Sequence, residues 1–161
     1  MWKHNGINKY PEIILHDCSI ANIEKEGDDI VVDFDKWGFW VKDSEKDMYY
    51  RTHSARIVIK EYDDDYLTIT EIRTQQLSEK KFFKTVNEVK PQCFIKNINK
   101  GKWIFEVVEE FYSEGRALYI GQVQNKKKYQ KSFWCCVKLE FKELLYLWND
   151  IRYDCPRQVG H

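Results

Sequence analysis

The sequence has little proline and glycine and carries no net charge. Only 3 prolines and 7 glycines occur in 161 residues, while 43% of the residues are apolar. These proportions exclude a collagen-like chain, a disordered tail and a low-complexity linker. The 26 basic and 26 acidic residues cancel, whereas proteins that bind nucleic acid through its phosphates are usually basic. We therefore expect no nucleic-acid partner.

Long hydrophobic runs are also missing. The amino terminus reads Met-Trp-Lys-His-Asn-Gly, without the apolar core of a secretory signal. The longest apolar stretches, such as Phe133 to Val137, are far too short for a membrane span. We therefore expect a cytoplasmic protein that has no membrane partner.

The cysteines are few, and their spacing fits neither a zinc site nor a complete set of disulfides. Their number is odd and no C-x-x-C motif occurs, so we expect no metal, no cofactor and free thiols in a reducing compartment. The consecutive acids Asp63 to Asp65 lack the alternating spacing of a calcium loop and are typical of a solvated turn. The five cysteines are Cys18, Cys93, Cys135, Cys136 and Cys155.

Polar turn residues divide the chain into short segments rich in β-branched and aromatic residues. A chain of this length buries enough surface to fold as one domain without disulfides. The sequence therefore predicts a single β-rich domain over residues 1–161. We expect an antiparallel β-sandwich or partly open barrel, with one or two short helices and at least twice as much strand as helix. Hairpin turns are predicted at Gly27, Asp64, Gly101, Gly115 and Lys127.

The clearest alternation of apolar and polar residues lies near the end of the chain. Lys138 and Glu140 are flanked by apolar residues at every second position, which is typical of a half-buried antiparallel strand. We expect one face of this strand to be buried and these two charged residues to be exposed. The predicted buried face consists of Phe133, Cys135, Val137, Leu139 and Phe141.

Two segments have helical spacing instead. Ser78 is a suitable cap for a helix from Glu79 to about Glu88, which Pro91 would end. Apolar residues from Phe141 to Ile151 recur at intervals of three and four, which predicts a second short amphipathic helix. Between them, Phe94 to Ile98 is expected to be a strand.

The tripeptide His16-Asp17-Cys18 looks like a catalytic dyad beside a nucleophile. On a strand, however, His16 and Asp17 would point to opposite faces and could not pair. His16 would share the face of Cys18, and that face also carries Ile14 and Ile20. We therefore expect His16 to lie inside and to donate to a backbone carbonyl. A polar spot in a ligand cavity is the functional alternative.

Five aromatic residues surround the least regular part of the sequence. Such rings either close one end of the core, which is the default in a chain that is 16% aromatic, or anchor a partner. As an anchor we expect an exposed ring such as Trp40. The candidate binding residues are thus His16 and Asp17 together with Trp37, Phe39, Trp40, Tyr49 and Tyr50.

The beginning of the chain resembles small bacterial proteins that open with a His-Asp pair and a hairpin. The resemblance is carried by Leu15 to Ile20 and Ile30 to Phe34, and its late part by Leu139 to Phe141 with Leu145 to Trp148. Some of these families are uncharacterised, and others are immunity proteins of polymorphic-toxin systems. The resemblance implies a β-rich domain without known catalysis and, for the immunity branch, a cognate toxin as partner.

Our expectation for function is a non-enzymatic cytoplasmic binding protein, with an immunity protein as its particular form. Common catalytic motifs for phosphate binding, serine hydrolysis and zinc proteolysis do not occur in the sequence. Two alternatives remain open. A small-ligand-binding β-barrel would have a deep cavity lined by His16, and a hydrolase with unrecognised carboxylates would have two carboxyl groups facing each other in a cleft.

Overall fold

The computed structural model describes residues 1–77, 80–127 and 131–158, and the side chains among them except 73–77, 80–86 and 158. It is mainly β, with 61% of the residues in strands, and its sheets are antiparallel and not closed into a barrel. The predicted fold class, in its sandwich form, is confirmed. That the chain is a single domain stays a prediction.

Ten strands form the large sheet. Its order is β1-β13-β7-β4-β3-β10-β11-β12-β8-β9, in which four of the nine neighbouring pairs are consecutive along the chain: β3–β4, β8–β9, β10–β11 and β11–β12. The strands are β1 (His4–Ile7), β3 (Cys18–Glu26), β4 (Asp29–Phe34), β7 (Ala55–Lys60), β8 (Thr68–Leu77), β9 (Lys80–Glu88), β10 (Trp103–Ser113), β11 (Arg116–Asn125), β12 (Phe133–Glu140) and β13 (Glu143–Trp148).

Four strands form the small sheet, which packs on the large one. Phe39 is fully buried between Phe34 and Tyr146 of the large sheet, with ring centroids 5.7 and 5.9 Å away. Such edge-to-face contacts join the two sheets in one hydrophobic core. In the order β14-β6-β5-β2, the strands are β14 (Ile151–Gln158), β6 (Met48–Thr52), β5 (Trp40–Asp43) and β2 (Ile13–Ile14).

The alternation near the end of the chain is the strand β12, as predicted. Cys135, Val137 and Leu139 are buried and Lys138 is exposed, as predicted, whereas Phe133 and Phe141 are only half-buried. Glu140, which we expected to be exposed, is half-buried, and its carboxylate lies 2.5 Å from the guanidinium of Arg116 on β11. The apolar face of β12 therefore packs on the core, and the register of β12 follows from that face.

The helices were predicted at the wrong positions in the chain. The helix of the described residues is α1 (Pro91–Asn99), where the sequence predicted a strand. Proline suits the first helical position because its missing N–H would have no partner there. Phe94 and Ile98, four residues apart, are buried on one face of α1. Pro91 thus begins a helix instead of ending one.

Both segments predicted to be helical are strands. The segment Lys80–Glu88 pairs with β8 in a hairpin, and Ser78 and Glu79 lie outside the described residues. The segment Glu143–Trp148 lies between β1 and β7, so it hydrogen-bonds on both edges. A continuous apolar run satisfies helical spacing and a central strand equally well, and pairing with neighbouring strands decides between them.

The predicted turns are largely where we expected them. Gly27 joins β3 to β4 with a φ of 64°, and Gly115 joins β10 to β11 with a φ of 68°, a region that glycine enters without strain. Gly101 also has a positive φ, but it follows α1 instead of a strand. Asp64 lies in the 3-10 turn Asp64–Tyr66. The turn at Lys127 runs into residues 128–130, outside the described part of the chain.

Candidate functional site

The His16–Asp17 turn lies where β10 contains a β-bulge. The register between β10 and β11 shifts between Val107 and Glu109, so Val108 is an extra residue. Asp17 has a φ of 57° and donates its N–H to the carbonyl of Val107 at 2.8 Å. His16 and Asp17 are therefore turn residues between β2 and β3, and strand alternation does not apply to them.

This turn overturns two predictions and confirms a third. The Nε2 atom of His16 lies 3.2 Å from Oδ2 of Asp17, so the two side chains do meet, contrary to expectation. The side chain of His16 is also half-exposed and does not share the buried position of Cys18. Its Nδ1 atom nevertheless contacts the carbonyl of Val108, which is the predicted kind of partner.

Arg157 adds a partner to this turn from the far end of the chain. Its Nη1 atom donates to Oδ2 of Asp17 at 3.1 Å. The carboxylate of Asp17 therefore lies between an imidazole and a guanidinium, and it ties β14 to the start of β3. Both side chains of the Asp17–Arg157 pair are more than a third exposed, so this ion pair contributes little to stability.

Cys18 is a buried thiol in an unreactive state. Burial raises its pKa to about 12, although the nearby charge of Arg51 opposes the shift. Since the thiolate is the nucleophilic form of cysteine, the thiol of Cys18 is unsuited to nucleophilic chemistry at neutral pH. The tripeptide His16-Asp17-Cys18 thus holds its thiol in the protonated, less reactive form.

Arg51 is the buried centre of this region, and sequence reasoning missed it. It is 8% exposed, and its guanidinium donates to the carbonyls of Asp17 and Gly38 and to the sulfur of Cys18. The guanidinium carbon lies 4.2 Å from the ring centre of Trp40. A guanidinium that saturates several neutral acceptors and packs on an indole is a structural clamp.

Trp40 belongs to the same buried cluster as Arg51. It is 7% exposed, and its Nε1–H donates to the carbonyl of His16 at 2.8 Å. Our expectation that Trp40 is an exposed anchor is therefore wrong. An indole with its N–H satisfied inside the protein is part of the core.

Most of the other candidate rings are also buried. Phe39 is part of the core, and Tyr49 donates its hydroxyl proton to the carbonyl of Pro11 at 2.6 Å. Tyr50 is buried below Tyr153, with ring centroids 5.1 Å apart. The core-packing interpretation of the aromatic set thus holds for Phe39, Trp40, Tyr49 and Tyr50.

Trp37 is the exception in the set. It is 40% exposed, although Phe39 two residues later is fully buried. Gly38 between them has a φ of 57°, and a Cβ there would clash with Thr52. The left-handed conformation of Gly38 is the local reason that the chain places one ring outside and the next one inside.

Cationic side chains contact the exposed rings on either side of β14. The guanidinium of Arg152 lies 4.3 Å from the ring centre of Trp37, and the ammonium of Lys36 lies 5.2 Å from it. The next residue, Tyr153, is 59% exposed and has the ammonium of Lys46 at 4.6 Å. We call Lys36, Trp37, Lys46, Arg152 and Tyr153 the β14 surface.

Glu110 is a half-buried polar group that the sequence did not indicate. The bulge at Val108 reverses the alternation of β10, so Glu110 and Tyr112 lie on the face of Val107, while Phe111 is exposed. Glu110 accepts the N–H of Leu15 and the hydroxyl proton of Tyr112, each at 2.7 Å. Burial raises the pKa of Glu110, and these two hydrogen bonds oppose the shift.

The cavities inside the curled large sheet are small. Two apolar cavities, bordered by residues such as Ile20, Ile59 and Tyr119, have volumes of about 70 and 40 Å³. Sites for small molecules usually have about 300–1,000 Å³. Across the described residues, His16 borders none of the five cavities found, so the barrel hypothesis has no observation in its favour at His16.

Comparison with known proteins identified no relative of this chain. No protein-family model, curated protein or solved structure matches the chain. Within the described ranges, no group of three or more His, Cys, Asp or Glu side chains is placed to hold a metal ion. No helix in this part of the chain has the length and hydrophobicity to cross a membrane.

Proposed function

We propose that this chain is a non-enzymatic binding protein of the bacterial cytoplasm, that its partner is another protein, and that Trp37 is the central contact. The observation that carries the proposal is the exposed indole of Trp37, which is 40% exposed with the guanidinium of Arg152 at 4.3 Å. Trp, Tyr and Arg are the residues enriched among those that dominate protein–protein binding energy.

The surroundings of Trp37 distinguish it from an isolated exposed aromatic, which needs no explanation. Arg152 and Tyr153 are consecutive in β14, and each belongs to a contact between a cation and an exposed ring. Rings that are already fixed by neighbours lose little conformational entropy on binding. The β14 surface is therefore pre-formed for a partner.

Its charges indicate which partner it fits. Lys36, Arg152 and Lys46 lie against the faces of the exposed rings. Arg152 and Lys46 are also paired with the carboxylates of Asp154 and Asp43, so the three cations outnumber the two acids paired with them. A partner with carboxylates around an apolar centre would complement them and would be steered toward them. We propose an acidic protein surface as the complement, and the resemblance to immunity proteins suggests a toxin as the particular partner.

The reactive groups of the region are consistent with binding instead of catalysis. The thiol of Cys18 is held protonated by burial, and both oxygens of Glu110 accept hydrogen bonds that fix the strand geometry. Each group has a structural role that accounts for its position. We therefore propose no catalytic step.

The experiment compares capture of partners from the native cell extract by three tagged proteins: wild type, Trp37→Ala and Trp134→Ala. Trp134 is a matched control, because it is 39% exposed and lies on β12, away from β14. A protein identified by mass spectrometry is then purified and titrated against each variant. We expect Trp37→Ala to weaken its binding at least about thirtyfold, the effect of a hot-spot residue, and Trp134→Ala to leave the affinity within about twofold.

Salt sharpens the test. Binding to an acidic partner surface should weaken as the salt concentration rises, because exposed charges are screened. Equal loss of binding in the two tryptophan variants, or retention of binding in both, would show that the β14 surface is not the interface. An extract that yields no protein specific to the wild type would contradict the proposed function itself.

A further inference from the structure

A separate cavity lies at the end of the large sheet, next to the hairpin that joins β10 to β11. It has a volume of about 380 Å³, within the range of small-molecule sites. Four aromatic side chains contribute to its wall, together with the charged residues Glu114 and Lys142. The aromatic residues are Tyr10, Tyr112, Phe141 and Tyr146.

Two of these rings, Tyr10 and Tyr112, form a pair next to the carboxylate of Glu110. Tyr10 and Tyr112 have ring centroids 4.7 Å apart, and Tyr112 donates its hydroxyl proton to Glu110 at 2.7 Å. Donation to a carboxylate increases the electron density of a phenol ring, and the ring face attracts cations more strongly as a result. Among the described residues, no Lys or Arg forms an ion pair with Glu110; two hydrogen bonds and the nearby His16 act on its charge.

Tyr146 lies at the inner wall of the cavity. Its side chain is fully buried, so its hydroxyl group is not available to a ligand. Its ring therefore contributes an apolar wall and no polar contact.

The charge around the cavity is negative. The ammonium of Lys142 lies 2.6 Å from the carboxylate of Glu61, so its positive charge is already paired. Glu114 is exposed at the rim of the cavity, and Glu110 lies behind Tyr112. A positively charged ligand therefore fits this cavity better than an anion does.

From these observations we infer that the cavity between Tyr10, Tyr112 and Tyr146 binds a small organic ammonium ion. Aromatic rings beside carboxylates are the usual environment for ammonium ligands, because the ring faces and the acids attract the cation while the apolar walls accommodate its methylene or methyl groups. The site is distinct from the β14 surface, and occupation of one does not require the other.

The test uses two probes of the same shape that differ in charge: choline and 3,3-dimethyl-1-butanol. Both have a hydroxyl group and the same branched carbon skeleton, but only choline has a cationic centre. Isothermal titration calorimetry should show one choline per chain and at least about tenfold weaker binding of the alcohol, the range of a partly desolvated cation–π contact. Equal binding of the two probes, or binding of neither, would overturn the inference.

Variants locate the site. Tyr10→Leu removes an electron-rich ring face and should weaken choline binding at least about fivefold, whereas Tyr10→Phe should retain most of it. Tyr66→Leu is the matched control, because Tyr66 is similarly exposed and is not among the residues bordering this cavity. Glu114→Gln should also weaken choline without affecting the alcohol. Choline binding that is unchanged in both Tyr10→Leu and Glu114→Gln would place the ligand elsewhere and overturn the inference.

Discussion

Two tryptophans that are three residues apart in the sequence each contact an arginine, and the two pairs occupy opposite environments. Trp40 has the guanidinium of Arg51 at 4.2 Å and is 7% exposed, whereas Trp37 has that of Arg152 at 4.3 Å and is 40% exposed. The contact between ring and cation is nearly the same in both. What differs is whether the rest of the protein covers it.

The hydrogen bonds of the two arginines explain what each pair does. Arg51 donates to backbone carbonyls and to a thiol inside the protein, so its loss would leave buried acceptors unsatisfied. Arg152 donates to the exposed carboxylate of Asp154 at 3.3 Å, where water can replace it. The same pair of residue types therefore supports the fold in one place and is free to meet a partner in the other.

The largest effect is expected when the buried pair is broken. Arg51→Ala removes the donors of the carbonyls of Asp17 and Gly38 and uncovers the indole of Trp40. We expect a loss of about 2–4 kcal/mol in the free energy of unfolding, since each buried acceptor left without a donor costs about 1–3 kcal/mol. Denaturant unfolding measures it. A loss below about 0.5 kcal/mol, the usual limit for surface changes, would mean that Arg51 is not a clamp.

A substitution at an ordinary core position gives a reference value for the loss expected from Arg51→Ala. Val137 on β12 is buried and makes no polar contact with its side chain. Val137→Ala should lower the free energy of unfolding by about 1–3 kcal/mol, through lost burial and an incompletely filled cavity. If Arg51→Ala cost less than Val137→Ala in the same denaturant series, packing alone would account for the buried pair.

A third prediction concerns how stability depends on pH through the half-buried carboxyl group of Glu110. The folded protein raises the pKa of Glu110 above its ordinary value of 4.5, mainly through burial. Above pH 4.5 the folded state therefore retains a proton that the unfolded chain has lost, and stability falls as the pH rises through this window.

The variant Glu110→Gln has no such proton. The free energy of unfolding of the wild type, relative to this variant, should decrease from about pH 4 upward until Glu110 is ionised in the folded state. Unfolding curves at a series of pH values give this difference directly. A difference that stays constant, or that grows with pH, would contradict the shift.

The smallest effect is expected at the exposed pair. Arg152→Ala should change the free energy of unfolding by no more than about 1 kcal/mol, because its side chain is half-buried but its partner Asp154 is exposed. The pairing of Arg152 with Asp154 lies at the surface and adds little. A loss comparable to that of Arg51→Ala would erase the distinction between the two pairs.

The sequence was informative where local alternation decides the structure. The face of β12 and the turn at Gly27 followed from residues that are neighbours in the chain. The position of Glu110 did not, because one extra residue at Val108 reverses the alternation of β10, and no residue type there signals a bulge. The exposed Phe111 and the half-buried Glu110 both result from that single insertion.

The candidate site was predictable only in part, because its contacts are long-range. His16 and Asp17 stand out in the sequence, but Arg157 reaches Asp17 across 140 residues. The pairing of Trp40 with Arg51 depends on the register between β5 and β6, in which these two residues are opposite each other. Which tryptophan is covered depends on Gly38, whose positive φ is visible only in the folded chain.

The most direct test of the distinction between the two pairs is the difference in stability between Trp40→Ala and Trp37→Ala. Guanidinium chloride unfolding at neutral pH should show a loss of about 3–5 kcal/mol for Trp40→Ala, the usual cost of emptying a core tryptophan site. Trp37→Ala should lose no more than about half as much, because the indole of Trp37 is 40% exposed. Equal losses in the two variants would contradict the distinction between the two pairs, because Trp37 would then support the fold as much as Trp40 does and would not be free to contact a partner.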